Sequence, residues 1–492
     1  MSERSLIALA LAVALAGCAV GPDYQRPQSD LPVLNSGAQP VSAQWWQGFN
    51  DAVLNNLIEE AFAHNLDLVQ AAARVAEYRA LVGSARADQL PQLNLNASNA
   101  RGGYSTEGLS QISPDNRTLS DRQVQANASW ELDLWGRLAR GREAAAAELS
   151  ASEAARDGVR LSLAASVANG YFDLRALDRQ LDIARQTLES RRRTAALQLK
   201  RYQAGTISEL EARQAEAEAA DAAQRVPQLE QQVASTANAL ATLLGRTPRE
   251  LVESSVARGT SVGAIGLPPT LPSGLPSDLL ERRPDVREAE QKLVAANARI
   301  GQAKAQWFPA ITLTGSYGSE SQALSDLLLT GSAATWSLAG SLAQPLFDGG
   351  RIAASVEAAD ARTQQATAAY RSTVQKAFRE TLDALVAMRK TGEQLNARQQ
   401  RVGALQQTVD LSGKRYEAGY SSYLDVLDAE RSLFQAQLDE VSSQRDRLQA
   451  AVNLYLALGG GWQSGQPPAD ATAQAAPAGQ TESSGKAQGQ SS

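Results

Sequence analysis

The sequence predicts an α+β membrane protein built from two tandem structural repeats. In this prediction each protomer supplies four β-strands, three protomers form a trimeric 12-stranded β-barrel, and a long α-helical barrel continues it. Three observations lead there: motifs recur at a fixed spacing, four short segments alternate apolar and polar residues, and two segments of roughly 67 residues contain no proline.

The repeat is visible in the turn motif Arg-Tyr-x-Ala-Gly, which occupies residues 201–205 and recurs 214 residues later at 415–419. Upstream, Leu90-Pro91 matches Phe308-Pro309 with an offset of 218, so one half carries a small insertion. We therefore expect six regions: a lipoprotein signal peptide (1–17), a lipidated N-terminal segment (18–50), a first repeat (51–250), an equatorial linker (251–274), a second repeat (275–461) and a disordered tail (462–492).

Each half predicts the order helix, strand, strand, very long helix, helix. The expected helices are about 51–87, 137–203 and 208–244 in the first half, and 277–306, 351–417 and 422–458 in the second. The longest span about 100 Å at 1.5 Å per residue, a length that favours a coiled coil or a tube.

Four segments alternate in polarity, which is the weak period-two signature of a membrane barrel. A half-buried soluble sheet would show the same periodicity. The apolar positions are Leu93, Leu95 and Ala97; Val124, Ala126, Ala128, Trp130 and Leu132; Ile311, Leu313, Gly315 and Tyr317; and Trp336, Leu338, Gly340 and Leu342. Four strands cannot close a barrel, since the smallest single-chain outer-membrane barrels have eight, and an open edge in lipid is prohibitive. Three copies give twelve strands. The loops that join the paired strands, about 103–120 and 318–335, should face outside the cell.

Composition excludes several classes of function. A net charge of −6 and a pI of about 5.3 leave no electrostatic footprint for nucleic acid. One cysteine and one histidine exclude an internal disulfide, a Cys/His metal cluster and the usual nucleophile–base triads. We therefore expect no enzyme activity, no metal site and no cofactor other than a covalent lipid.

The single cysteine, Cys18, ends an apolar run from Leu6 to Ala16 that has the length of a signal-peptide core. The sequence Leu-Ala-Gly-Cys at 15–18 resembles a bacterial lipobox, in which the cysteine thiol accepts a diacylglyceryl group. Ala19 follows, where an aspartate would favour inner-membrane retention, so we expect anchoring in outer-membrane lipids. The alternative is a free cysteine in an ordinary cleaved signal.

These features together resemble the outer membrane factor family of TolC-like ducts, in its NodT/OprM-type lipoprotein branch. The matching motifs span nearly the whole mature chain. They are Val-Gly-Pro-Asp-Tyr at 20–24, Trp45-Trp46, Asn-Leu-Asp-Leu at 65–68, Trp-Glu-Leu-Asp at 130–133 with Trp-Gly-Arg at 135–137, Glu-Arg-Arg-Pro-Asp-Val-Arg at 281–287, Phe308-Pro309 and Leu-Phe-Asp-Gly-Gly-Arg at 346–351.

The resemblance implies a homotrimer with a barrel in the outer membrane and a helical tunnel in the periplasm. It also implies a periplasmic adaptor protein docked on the tunnel tip and an inner-membrane pump, of the RND type, behind it. The expected function is passive transport of small molecules through an exit duct that is gated at its periplasmic tip.

The repeated turns, 205–208 and 419–422, are the expected tunnel tips, with Gly205 and Gly419 as left-handed helix caps. Asp425 and Asp428 are three residues apart, so they share a helix face, and the resemblance makes them acidic rings at the closed entrance. Asp425 as a simple helix cap is the alternative.

The resemblance gives the neighbouring residues roles as well. Arg415 and Tyr416 would hold the tip shut, and Arg201, Tyr202, Gly205 and Gly419 would form the docking surface for the adaptor. A partner-independent, porin-like diffusion channel is the alternative function, and it gives no reason for a helical tunnel. The exported compound stays open, since drugs, metal ions and lipids all fit.

Overall fold

The computed structural model describes residues 19–27, 42–103, 105, 118–268, 283–327 and 331–460. The signal peptide, Cys18, the end of the predicted linker from 269 onward, residues 277–282 of the predicted helix 277–306, residue 461 and the predicted tail 462–492 lie outside the described residues. Most of the predicted loop 103–120 also lies outside them.

The first half contains five helices and two strands among the described residues. A short 3₁₀ helix, Trp45–Phe49, precedes them. The elements are α1 (Ala52–His64), α2 (Leu66–Ala87), β1 (Gln92–Gly103), β2 (Thr118–Leu132), α3 (Arg137–Gln203), α4 (Glu209–Leu243) and α5 (Pro248–Glu253).

The second half repeats the order from α2 to α4 and has no counterparts of α1 and α5 among the described residues. Its elements are α6 (Pro284–Lys304), β3 (Ala310–Ser321), β4 (Ala334–Ala343), α7 (Arg351–Glu417) and α8 (Tyr423–Ala457). The long helices α3 and α7 each have 67 residues, and α4 and α8 each have 35. The long helices therefore begin and end where the absence of proline predicts. None of the described helices carries an apolar stretch long enough to cross a membrane.

The prediction of one helix over 51–87 was wrong, because the chain breaks at Asn65. The backbone of Asn65 is extended (ψ 128°), and its side-chain oxygen accepts the backbone N–H groups of Asp67 and Leu68 at 2.9 and 3.1 Å. Its side-chain nitrogen also donates to the carbonyl of Leu243 at 2.9 Å. Asn65 thus caps α2 and fastens the break to the end of α4.

The four strands form one antiparallel sheet in the order β1-β2-β3-β4. The register confirms the predicted alternation, since each apolar position pairs with another apolar position across the sheet. One row, for example, is Leu93, Ala128, Gly315 and Leu338, and the next row is Asn94, Asn127, Ser316 and Ser337. The strand β3 continues to Ser321, so the predicted loop 318–335 begins four residues too early.

The largest hydrophobic core lies halfway along α3, where the 3₁₀ helix, α1, α3 and α8 meet. Trp45 stacks on Tyr455 with ring centroids 5.4 Å apart, and Phe49 meets Phe172 at 5.1 Å. At this level a cluster of aromatic side chains packs with leucine, isoleucine, valine and alanine side chains and fixes the crossing of these helices.

Residues 19–27 form a strap across the start of α3. The backbone N–H of Val20 donates to the carbonyl of Trp135 at 3.1 Å. Farther along, Arg26 makes two hydrogen bonds to the Glu290 carboxylate, at 2.7 and 2.8 Å, and the Tyr24 hydroxyl donates to the same carboxylate at 3.1 Å. The strap therefore joins residues 19–27 to α6 of the second repeat.

Candidate gate at the helical tip

Both turns at the helix tips have the hydrogen bonds of a Schellman motif. Gly205 (φ +74°) donates to the carbonyl of Tyr202 at 2.8 Å, and Thr206 donates to that of Arg201 at 3.0 Å. The second turn repeats this around Gly419 (φ +76°). Neither glycine has a heavy atom within 4 Å of an added Cβ, so the left-handed backbone, rather than crowding, requires glycine. The predicted left-handed caps are confirmed.

The helices that follow the two turns begin differently. In the first turn the Ser208 hydroxyl accepts the backbone N–H of Glu211 at 3.3 Å. In the second, the Asp425 carboxylate accepts the backbone N–H of Ser422 at 3.1 Å. Ser422 and Asp425 thus form a capping box at the start of α8. The Glu211 carboxylate accepts only the Ser208 hydroxyl on its own helix, at 3.4 Å, and its second oxygen is left for a partner on another helix.

That partner is Tyr416 at the end of α7. Its hydroxyl donates to Glu211 at 3.0 Å and accepts from the buried Gln198 amide at 3.3 Å. Its ring lies 5.3 Å from that of Tyr423. Burial raises the pKa of Tyr416, so the hydroxyl stays protonated and remains a donor at neutral pH. Tyr416 thus ties α7 to α3 and α4 at the tip of one protomer.

Arg415, the other predicted clamp residue, is exposed, and its side chain makes no ion pair with the described residues. Of the predicted docking residues, Tyr202, Gly205 and Gly419 are exposed and Arg201 is half-buried. The structure therefore brings Tyr416 into a network, and leaves Arg415 at the surface of the protomer.

Asp425 and Asp428 lie together on one exposed face of α8, as their spacing predicts. The residues between and after them, Val426, Leu427 and Ala429, are buried against the rest of the tip. Asp428 lies close enough to Arg431 to raise the pKa of that guanidinium, whose larger stabilisation comes from Glu218. The two carboxylates are therefore held outward by a buried apolar face.

Sequence reasoning missed a buried charged cluster about two turns above the tip. Glu218 on α4 pairs with Arg191 on α3 and with Arg431 on α8, whose Nε lies 2.5 Å from the carboxylate. Arg191 and Glu218 have side chains that are only 7% and 6% exposed. Glu430 approaches Arg191 at 3.7 Å, and burial raises the pKa of Glu430. One carboxylate thus joins three helices.

A signal for this cluster exists in the sequence. Glu218 falls between Ala215 and Ala222 on the buried stripe of α4, and Arg191 falls seven residues after Ala184 on that of α3. A charge on an otherwise apolar stripe indicates a buried partner. The cluster lines a cavity of about 310 Å³ together with polar residues of the same helices.

The comparisons with known proteins agree with this architecture. The sequence profile of the family described as "Outer membrane efflux protein" matches residues 57–246 and 275–460. The solvent efflux pump outer membrane protein SrpC of Pseudomonas putida is 36% identical over 491 residues, covering 95% of this chain and 100% of the relative. The cation efflux system protein CusC of Escherichia coli strain K12 is 34% identical over 470 residues, covering 94% and 100%.

Solved channels have the same fold. The outer-membrane channel OprN superposes with a TM-score of 0.83 at 30% identity, covering 90% of this chain and 99% of that one. The open state of the Neisseria gonorrhoeae MtrE outer membrane channel superposes with a TM-score of 0.79 at 33% identity, covering 90% and 98%. The chain therefore belongs to the outer membrane efflux protein family, and it is a passive outer-membrane channel of an efflux pump rather than an enzyme.

Proposed function

We propose that three copies of this chain form the exit duct, with one 12-stranded barrel in the outer membrane and one helical tunnel in the periplasm. The observation that carries the proposal is the open four-stranded sheet, whose edge strands β1 and β4 have no second neighbour among the described residues. Its apolar face is exposed, for example at Leu93 (74%) and Leu338 (79%). An apolar face is stable in lipid, but a strand edge with unpaired backbone N–H and C=O groups is not. The strands of several copies must therefore close one barrel.

The helical tips would form the gate. In a trimer, Asp425 and Asp428 would each contribute a ring of three carboxylates to the periplasmic entrance. Such rings attract cations and repel anions, and their mutual repulsion favours an open entrance. The capping bond of Asp425 is compatible with this role, because only one carboxylate oxygen accepts the Ser422 N–H. Asp428 has no capping bond among the described residues and faces outward.

Repulsion between carboxylates requires an opposing clamp. Tyr416 supplies one part, since its bonds to Glu211 and Gln198 hold α7 against α3 and α4. Arg415 would supply the other part by reaching a carboxylate of the neighbouring copy, since its side chain is exposed beside the turn. The first tip, with Arg201, Tyr202, Gly205 and the matching Gly419, would be the docking surface for a periplasmic adaptor.

Family members form trimeric channels that work with adaptor and pump partners. For this chain we infer a periplasmic adaptor, an inner-membrane pump of the RND type and a lipid on Cys18 in the outer membrane. The relatives are named for solvents and for cations, so the inferred cargo is a small molecule or ion that the pump selects.

Two measurements test the proposal. The mass of the detergent-solubilised protein should be that of three copies, and a folded monomer would contradict both barrel and tunnel. In planar bilayers, Asp425→Ala with Asp428→Ala should weaken cation selectivity and block by multivalent cations.

The matched control for the gate is Glu209→Ala with Glu216→Ala, which removes the same charge from the first tip. Glu209 and Glu216 are exposed and pair with Arg213 on their own helix, so selectivity should be unchanged. Equal loss in both double variants would mean that general surface charge, and not a gate, sets selectivity.

A further inference from the structure

The internal repeat determines the strand register within each hairpin of the sheet. First strands of the two halves are related by an offset of 218 residues, and second strands by 214. Leu93 pairs with Ala128 in the first hairpin; applying the offsets gives Ile311 and Leu342, which do pair in the second. The sequence offsets therefore hold in three dimensions.

The same offsets hold at the rim where strands meet helices. The Trp130 indole N–H donates to the carbonyl of Gln89 at 3.0 Å. At the equivalent positions, the Gln344 side-chain amide donates to the carbonyl of Trp307 at 2.8 Å. The two halves therefore make equivalent hydrogen bonds at equivalent positions, although the donor is an indole in one half and an amide in the other.

The junction between β2 and β3 is therefore a template for the junction between copies. It joins the second strand of one half to the first strand of the next, and it pairs Leu132 with Ile311. In the closed ring proposed above, β4 of one copy meets β1 of the next in the same relation. Applying the offsets, we infer that Leu346 of one copy lies opposite Leu93 of the neighbouring copy.

Exposure agrees with this seam. At the template junction Trp135 stacks on Phe308, with ring centroids 4.8 Å apart, and its N–H donates to the carbonyl of Pro309 at 2.9 Å. In the second half the corresponding turn carries Leu346 and Phe347, which are each 93% exposed. Two adjacent side chains of this size without cover indicate a missing neighbour.

The repeat also indicates which residues of the neighbouring copy pack on Leu346 and Phe347. Phe308-Pro309 corresponds to Leu90-Pro91, and Leu90 is also exposed. Gly349 stands where the offset would place Trp135, so the second turn supplies its apolar surface two residues earlier, from Phe347. The turn of one copy therefore seats its Leu346 and Phe347 on the Leu90-Pro91 turn of the next.

A second copy is the only occupant that also satisfies the backbone. The strand β4 reaches Ala343, and its outer N–H and C=O groups have no partner among the described residues. A lipid or an unrelated peptide could cover the apolar side chains, but it would leave a strand edge unpaired in the membrane. The β1 edge of a neighbouring copy supplies both.

The test uses paired cysteines in the full-length protein. Opposed residues on antiparallel strands have Cα atoms about 4.5–5.5 Å apart, which is within disulfide range. Leu346→Cys with Leu93→Cys should therefore give a covalent trimer on oxidation that reverts to monomer on reduction. Within one chain the residue in the row of Leu93 on the opposite edge is Leu338, which is already about 14 Å away across three strand spacings. Leu346 follows eight residues later, past the end of β4, so it cannot bond to Leu93 of its own chain.

The control is Leu346→Cys with Leu95→Cys, two residues out of register. Its Cα separation of about 8 Å is too long for a disulfide, so it should not cross-link. A second in-register pair, Gln344→Cys with Leu95→Cys, keeps the test decisive if the first variant does not fold. The parent chain shows whether Cys18 itself cross-links.

The outcomes separate this inference from the trimer on which it rests. A trimer mass in detergent with cross-linking of the in-register pairs alone supports it. A trimer mass with cross-linking of the control pair, or of no pair, overturns the register and leaves the trimer standing. A mass other than three copies overturns the proposed function itself.

Discussion

Glu218 connects the helices of the tip, and Glu218→Gln should loosen the tip. The substitution leaves Arg191 buried, with Glu430 at 3.7 Å as its remaining described acid. Removing one partner of a buried ion pair costs about 3–5 kcal/mol, because the other charge remains without compensation. A loss of about 3 kcal/mol corresponds to roughly a hundredfold increase in the population of locally opened states.

Amide hydrogen exchange measures that increase directly. Amides of α3 and α4 around Arg191 and Glu218 should exchange roughly a hundredfold faster in the variant, while amides around the core at Phe172 keep their rates. The matched control is Glu216→Gln, since Glu216 is exposed, two residues away on the same helix, and paired only with Arg213 among the described residues. It should change exchange little.

Replacing the buried charges together refines the test. Arg191→Met with Glu218→Leu and Glu430→Gln removes the buried pair together with the carboxylate that faces Arg191, and it leaves only Arg431, which is 56% exposed, so protection should return toward the wild-type level. Equal exchange rates in Glu218→Gln and Glu216→Gln would refute the argument that the buried carboxylate holds the three helices together.

Three further predictions concern the gate, the charged cluster and the anchor. Tyr416→Phe with Arg415→Ser should raise single-channel conductance in planar bilayers, because the hydroxyl bonds to Glu211 are lost; unchanged conductance would show that neither residue restrains the tip. Burial raises the pKa of Glu430, so the folded tip binds this proton more tightly than the unfolded chain does. The resulting stabilisation is complete below the pKa of the unfolded chain and is lost as the pH rises through the raised pKa of the folded state. Glu430→Gln should therefore slow tip exchange relative to wild type at pH 7 and match it at pH 4. Cys18→Ser should abolish incorporation of labelled fatty acid, and persistent labelling would place the lipid elsewhere.

The sequence predicts the periodic parts of this fold well, because each depends on local pattern. The absence of proline sets the lengths of α3 and α7, and the alternation around Leu93 and Leu338 sets the face of the sheet. The glycine caps at Gly205 and Gly419 follow from backbone geometry alone. Because the motifs recur, each of these predictions made for one half also applies to the other half.

Features that depend on contacts between distant helices were not predictable in the same way. Asn65 lies in a run that favours helix, and its break is stabilised by Leu243, 178 residues away. The partners of Tyr416 and Glu218 depend on the rotational phase of three helices at once, which periodicity gives only to within a turn. Glu211 accepts the Tyr416 hydroxyl, whereas Asp425 accepts the Ser422 N–H of its own helix. This difference likewise depends on where the neighbouring helices lie.

The N-terminal strap has a consequence for the order of biogenesis. Its bond from Arg26 to Glu290 spans 264 positions of the chain, so it cannot close until α6 has left the ribosome and crossed the inner membrane. Contacts of such high sequence separation form late in folding, since the intervening loop must be ordered first. The end of the chain that is exported first therefore cannot be fastened until 264 further residues have followed it, and the contact of Trp45 with Tyr455, which spans 410 positions, must wait longer still.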